Sequence, residues 1–164
     1  MIKVSPLTDL TKEKFYGLFK DYYKELDCED DTAHLLEEYI MPDLLAGLIK
    51  IDLLHDGEGY SGFVVYQTDD INNDWNFREG EGDIREIYIA PDARGKGYGK
   101  FLLFTAEMKL FESGAKKVYC LPYEESAGFF EKCGYADSQE YCEELDCNVY
   151  EKELSEHKCS CKGE

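Results

Sequence analysis

Apolar residues at Phe15, Leu18, Phe19, Tyr22 and Leu26 recur three or four positions apart, which predicts an amphipathic helix over 12–26 with Thr11 placed to cap it. Ahead of it, Ile2–Val4 reads as a short strand ended by Ser5-Pro6. An acidic break, Asp27–Asp31, precedes a second helical pattern through Leu35, Leu36, Tyr39 and Ile40. Pro42 lacks an N–H and crowds the preceding turn, so it should kink or restart that helix, and Gly47 should stop it. The period then changes. Ile49–Leu54 and Tyr60–Gln67 read as strands flanking His55-Asp-Gly-Glu-Gly59, a hairpin signal. Residues 68–82 are rich in Asp, Asn, Gly and Glu with Trp75 and Phe77 embedded, and predict a mobile loop or an irregular hairpin. A strand over Asp83–Ile89 follows, then a helix from Tyr98 to Ser113 with Gly114 as its stop. Lys117–Leu121 is the next strand and Ser126–Lys132 a short helix. Tyr135–Glu144 and Asn148–Glu153 form a closing hairpin, and residues 155–164 a frayed tail. The predicted order, β-α-α-β-β-β-α-β-α-β-β, is that of an α/β fold built on a mixed sheet, one domain over residues 1–154.

Composition narrows the class. With 164 residues, 43% hydrophobic and 14% aromatic, the chain can bury a single large core and is not disordered. No apolar run approaches the ~20 residues that span a bilayer, and Met1-Ile-Lys-Val-Ser-Pro6 has no apolar leader, so a cytoplasmic protein is expected. The seven cysteines form an odd set without a disulfide framework, which reads as reduced thiols. Cys142-x4-Cys147 and Cys159-x-Cys161, with His157 nearby, lack the Cys-x2-Cys spacing of a zinc ribbon or finger, so no metal is expected.

Charge changes the picture further. A net charge of −18 argues against nucleic acid or an anionic membrane as partner. Its distribution is uneven. Residues 21–43 carry nine acids and one base, and residues 69–86 seven acids and two bases, whereas residues 94–117 carry six bases and two acids. That basic island suits a polyphosphate. The acids suit either a cationic acceptor or simply a soluble surface.

The island is centred on Ile84-Arg-Glu-Ile-Tyr-Ile-Ala-Pro-Asp-Ala-Arg-Gly-Lys-Gly-Tyr-Gly-Lys-Phe-Leu-Leu103. A strand ends at Ala90-Pro91-Asp92, a glycine-spaced basic turn follows, and a helix begins. The free N–H groups and dipole of that helix start make an anion site. Gly95, Gly97 and Gly99 keep Cβ atoms out of the way, while Arg94, Lys96 and Lys100 add charge. Lys100 is followed by Phe101, so a P-loop is excluded, and glycines at every second position do not make a dinucleotide fingerprint. What fits is Arg-x-x-Gly-x-Gly, as Arg94-Gly95-Lys96-Gly97-Tyr98-Gly99.

In this the chain resembles the GNAT superfamily of acyl-CoA-dependent N-acyltransferases, whose pyrophosphate loop is Gln/Arg-x-x-Gly-x-Gly/Ala after a strand like Leu-Tyr-Val-x-Pro, here Ile87-Tyr88-Ile89-Ala90-Pro91. About thirty residues further on, Ala127-Gly-Phe-Phe-Glu-Lys-Cys-Gly-Tyr135 resembles the family's Ala-x-x-Phe-Tyr-x-Lys-x-Gly-Phe helix end. The resemblance implies a single-domain GNAT fold with a V-shaped opening between the motif strand and the next strand, and acetyl-CoA as cosubstrate. It implies backbone groups of Ile87, Tyr88 and Ile89 on the pantetheine, and Arg94 to Lys100 on the pyrophosphate. Phe130 would pack on the cofactor and Lys132 would reach a phosphate.

It also implies direct acetyl transfer to a primary amine in a ternary complex, with a motif-strand carboxylate as base: Glu86, or else Asp83. Period-2 alternation puts those two on opposite faces unless a bulge intervenes, so at most one should face the acceptor. Phe130 stands where many members have the Tyr that donates a proton. Tyr123, Tyr135, water or unaided departure of the thiolate would have to replace it. The same gap leaves room for a non-catalytic acyl-CoA-binding regulatory or interaction protein. Neither the acceptor amine nor the choice between monomer and homodimer is legible.

Overall fold

The computed structural model describes residues 1–28 and 31–156. Seven strands form one mixed sheet: β1 (Lys3–Pro6), β2 (Lys50–His55), β3 (Tyr60–Thr68), β4 (Gly82–Ile89), β5 (Lys117–Cys120), β6 (Ala136–Cys142) and β7 (Cys147–Glu153), in the order β1-β2-β3-β4-β5-β7-β6. All neighbours are antiparallel except β4 and β5, which α4 (Tyr98–Glu112) connects in parallel. The element order is the one the hydrophobic pattern predicts.

Helices cover both faces. On one, Leu102, Leu103, Ala106 and Leu110 of α4 pack on Leu54, Val64, Tyr66 and Ile84, with Phe130 of α5 (Glu124–Lys132) beside them. On the other, Phe15, Leu18 and Phe19 of α1 (Lys12–Glu25) meet Ile51, Leu53, Phe63, Val65 and Tyr88. α1 starts after Thr11 as expected, but the Thr11 hydroxyl bonds Thr8 instead of a helix N–H. The second helical stretch is in three parts: α2 (Thr32–Leu35), a π turn (Leu36–Ile40) and α3 (Met41–Leu45). Pro42 cannot donate to the carbonyl four residues back, and the widened turn lies just before it. Gly47, at φ +74°, ends the run.

Residues 69–81 join antiparallel β3 and β4, so of the two readings of this stretch the irregular hairpin is the one seen. The Asp69 carboxylate organises it. Its Oδ1 accepts from Gln67 Nε2 (2.8 Å), and its Oδ2 accepts from the backbone N–H of Phe77 (3.0 Å) and Arg78 (2.8 Å) and from the Tyr119 hydroxyl (2.6 Å). Arg78 then ties the loop to the closing hairpin through Glu151 (2.6 Å) and Glu140. Trp75 and Phe77 stack on each other and cover Tyr119 and Val149.

Removing the Asp69 carboxylate strips partners from four donors in or near the core, each costing about 1–3 kcal/mol when left unsatisfied. Asp69→Ala should therefore lower unfolding free energy by at least about 3 kcal/mol in urea titration, and Asp69→Asn by less.

Candidate active site

β4 and β5 are paired only at Gly82–Val118, Asp83–Tyr119 and Ile84–Cys120. Beyond Ile84, β4 continues along β3 to Ile89, whereas β5 ends at Cys120 and the chain turns away through Leu121-Pro122-Tyr123 into α5. The opening is a groove of about 740 Å3 floored by Ile84–Ile89, walled by Leu121–Tyr123 and α5, and closed at one end by the glycine turn.

The Ala90 N–H donates to the Ser61 carbonyl (2.8 Å), on the β3 side. Successive amides of a strand point to opposite edges, so the N–H groups of Ile87 and Ile89 point away from β3 and into the opening. The side chains of Ile87 and Ile89 pack toward α4, while Tyr88 faces α1 and donates its hydroxyl to Glu25 Oε1 (2.8 Å).

The glycine turn closes the groove as its spacing requires. Gly95 (φ +76°) and Gly97 (φ +81°) occupy the left-handed region, and Gly97 is the N-cap of α4. A Cβ on Gly99 would come within 3.2 Å of the Phe129 ring and 3.7 Å of Ile89, so glycine there lets α4 meet α5 and β4. The N–H groups of Tyr98, Gly99 and Lys100 belong to the first helical turn and have no intrahelical acceptor, which leaves a positive pole at the groove's end. Arg94 has a second task. Its Nε donates to the Ile89 carbonyl (2.8 Å), its Nη2 donates to Glu25 Oε2 (2.7 Å), and its guanidinium lies 5.6 Å from the Tyr88 ring centre. Partial burial pushes the Glu25 carboxyl up, but the hydrogen bonds from Arg94 and Tyr88 outweigh it and hold the group below the usual range. Lys100 and Lys132 line the groove; Lys96 is not in its wall and lies 5.9 Å from the Tyr98 ring centre.

The register of β3 and β4 slips in the middle. Val65 lies opposite Glu86 and Tyr66 opposite Ile84, leaving Arg85 as the extra residue of a bulge. Simple alternation separates Asp83 from Glu86; the bulge brings both onto the face covered by α1–α3. The exception to simple alternation, an intervening bulge, is the case seen, and the two carboxylates share a face. Both line a second cavity, of about 430 Å3, together with Tyr22, Trp75 and Tyr123. Among the described residues, Glu86 is the one carboxylate that lines this cavity and the groove alike.

Glu86 accepts a 2.5 Å hydrogen bond at Oε1 from the Tyr23 hydroxyl, and its buried Oε2 has no hydrogen-bond partner among the described residues. Burial pushes this carboxyl up to about 7, against the Tyr23 hydrogen bond and the Arg85 charge. Asp83, only 3% exposed, is pushed to about 8 by burial and then by Asp69, with Arg85 and Tyr119 opposing. Tyr22 and Tyr23 hold their protons more tightly than usual because they are buried beside Glu86.

Phe130 lines the groove but is 4% exposed, packed edge-on against Phe129 and Tyr135. Tyr135 donates its hydroxyl to buried Glu107 (2.9 Å) and does not line the groove. Of the two tyrosines considered as proton donors, then, only Tyr123 reaches the junction of the cavities. Sequence reasoning missed Tyr23, Glu25 and Trp75. Helical period marks Tyr22 as the buried position, and nothing but its neighbouring aromatic ring singles out Tyr23.

Among the described residues no group of three or more His, Cys, Asp or Glu side chains could hold a metal ion, and no helix is long and apolar enough to cross a membrane. Cys142 and Cys147 face each other across the β6–β7 turn as free thiols. His157, Cys159 and Cys161 lie outside the described residues.

The model of the acetyltransferase (GNAT) family matches residues 7–135, most of the chain and all of the glycine turn, and the chain belongs to that family. Acetyl-CoA is the cosubstrate, and the groove with its basic, glycine-lined end fits it. Solved structures share the fold. An acetyltransferase of the GNAT family from Staphylococcus aureus Mu50 superposes with a TM-score of 0.70 at 16% identity, over 94% of this chain and 100% of that one. The PaiA N-acetyltransferase from Thermoplasma acidophilum, in complex with coenzyme A, gives 0.69 at 16% identity over 93% and 99%. Spermidine N-acetyltransferase from Vibrio cholerae, in complex with CoA and spermine, gives 0.70 at 16% identity over 93% and 95%.

Because Gly97 is left-handed, Gly97→Glu would strain the backbone as well as block the turn, and a cleaner comparison uses Asn and Asp, which tolerate this conformation. Gly97→Asp should weaken acetyl-CoA binding at least ~10-fold more than Gly97→Asn at similar melting temperature, since one added charge near a phosphate repels strongly. Calorimetry checks this; equal affinities would place the polyphosphate elsewhere.

Proposed function

We propose that this acetyltransferase moves the acetyl group of acetyl-CoA to a primary amine by direct attack in a ternary complex, with Glu86 as the base. The observation that carries the reading is the position of Glu86, where the cofactor groove and the second cavity meet. Bound acetyl-CoA supplies the thioester whose carbonyl the amine attacks.

The chain's own groups then divide the work. Tyr98 to Lys100 offer N–H groups to the pyrophosphate, and Arg94, Lys100 and Lys132 offer charge. Ile87 and Ile89 offer N–H groups to the pantetheine and, at the groove's inner end, to the oxygen that gains charge; donors fixed in advance are often the largest single contribution to rate.

An alkyl ammonium has a pKa near 10, so the amine arrives protonated and must be relieved of a proton. A carboxylate near 7 is matched to that task at neutral pH. Tyr23 fixes Glu86 Oε1, which leaves the unpartnered Oε2 for the amine. Tyr123, which lines both cavities, takes the place of the absent Tyr at position 130 in protonating the departing sulfur. The thiolate, with a pKa of roughly 8.5, also departs without help. A non-catalytic acyl-CoA binder draws its support from Phe130 alone, and release of free thiol in the presence of an amine separates the two.

Glu86→Gln should lower kcat/KM by ~100-fold or more near neutral pH while acetyl-CoA affinity hardly changes. The sign with pH is set by the raised carboxyl. Wild-type activity should fall as pH drops below about 7, where Glu86 takes up its proton among Tyr22, Tyr23, Tyr123 and Arg85. The deficit of the variant should shrink at high pH, where free amine is plentiful. If Asp83→Asn shows that pattern and Glu86→Gln does not, the base is Asp83.

A further inference from the structure

Resting on that reading, a second question is what holds Glu86 in line. The last turn of α1 crosses β4 at two points. Tyr23 donates its hydroxyl to Glu86 Oε1 (2.5 Å), and two residues further along both elements Tyr88 donates its hydroxyl to Glu25 Oε1 (2.8 Å). Glu86 and Tyr88 share a face of β4 because strand side chains repeat every second residue. The other oxygen of Glu25, Oε2, accepts from Arg94 Nη2 (2.7 Å), and Arg94 Nε is itself fixed on the Ile89 carbonyl (2.8 Å). One carboxylate thus joins the end of α1 to β4 and to the residue that opens the glycine turn.

Local electrostatics do not explain an acid at this position. Glu25 is the last residue of α1, at the negative pole of the helix, where a cation is favoured. It also lines the groove that takes an anionic cosubstrate, where a carboxylate repels phosphate. Both effects count against it, yet both of its oxygens are used, and the donors hold its carboxyl below the usual range. What gains is the helix end. Beyond Leu26 the chain leaves the helix through Asp27, at φ +55°, and helix ends fray unless side chains hold them. Tyr22 packs against both Tyr23 and Tyr88, with ring centres 5.1 and 5.5 Å away, so a shift at one crossing passes to the other.

We propose that Glu25 is a positioning residue for the transfer: by clamping the last turn of α1 to Tyr88 and Arg94 it holds the Tyr23 hydroxyl on Glu86, so the alignment of the base is tied to the first residue of the glycine turn.

The test reads Glu86 directly and needs no acceptor amine. It follows the side-chain carboxyl carbon by NMR across a pH titration of protein carrying carbon-13 glutamate, the signal being assigned by its loss in Glu86→Gln. Glu86 titrates among Tyr22 and Tyr23 of α1, Arg85 beside it on β4 and Tyr123 beyond β5, while Glu25, held low, stays ionised throughout. The Tyr23 hydrogen bond favours the ionised form, so Tyr23→Phe should raise the midpoint by ~1 pH unit. Glu25→Ala should raise it by at least ~0.5 pH unit at similar melting temperature. Glu25→Gln keeps an acceptor oxygen for Tyr88 or Arg94 and should raise it by less than half as much. In the Tyr23→Phe background Glu25→Ala should add nothing, because it acts through Tyr23. An unshifted midpoint in Glu25→Ala, or a shift of the same size with and without Tyr23, overturns this inference and leaves the base reading standing. A fall toward the ordinary carboxylate range does the same, since Glu25 would then only keep water from Glu86. A wild-type midpoint at the ordinary value of about 4.3 overturns the base reading, and this inference with it.

Discussion

The partnership of β4 with two neighbours governs the rest of the molecule. Along β3 it is paired through Ile89, with one bulge at Arg85; along β5 it is paired at only three positions and then left open. A parallel strand that loses its neighbour exposes a row of backbone amides, ordinarily a liability at a sheet edge. Here the exposed row forms the floor of a groove, and α5 and the glycine turn cover it from the sides. The groove exists because β5 stops at Cys120 and Pro122 follows, a residue that has no N–H to continue the ladder.

The bulge at Arg85 decides which side chains face the second cavity. One extra residue changes which side chains share a face, so Asp83 and Glu86 point to the same side while Ile84 and Ile87 stay with the α4 core. Without that slip one carboxylate would be buried among leucines. With it, two lie in a confined space where burial holds them near neutrality, and Tyr23 from α1 orients the nearer one. The charge pattern follows the same axis. Basic groups cluster at the helix start of α4, acids at the far cavity, and Glu86 lies between.

Much of this was legible before any coordinates. The period of Phe15, Leu18 and Phe19 and the alternation of Tyr60–Gln67 place α1 and β3 within a residue or two, because each element buries one face. The glycine turn was legible because few residues tolerate φ near +80° beside a phosphate-sized space. The bulge was not. A one-residue slip leaves no mark in composition, and Arg85 between Ile84 and Glu86 looks like ordinary alternation. For the same reason the joint placement of Asp83 and Glu86 was hidden. Tyr23 and Trp75 were hidden because their roles depend on partners 63 and 44 residues away in the chain. Asp69 was lost in an acidic stretch in which only one carboxylate is buried with four donors.

The central claim is that the edge of β4 freed by β5, together with the first turn of α4, receives the cosubstrate. Hydrogen exchange at single-amide resolution, with and without acetyl-CoA, tests it directly. The account predicts that Ile87, Ile89 and Tyr98 to Lys100 exchange readily in the free protein and become protected in the complex, while Tyr88, already paired to β3, changes little. Protection that spares these amides, in a sample where calorimetry reports binding, would contradict it.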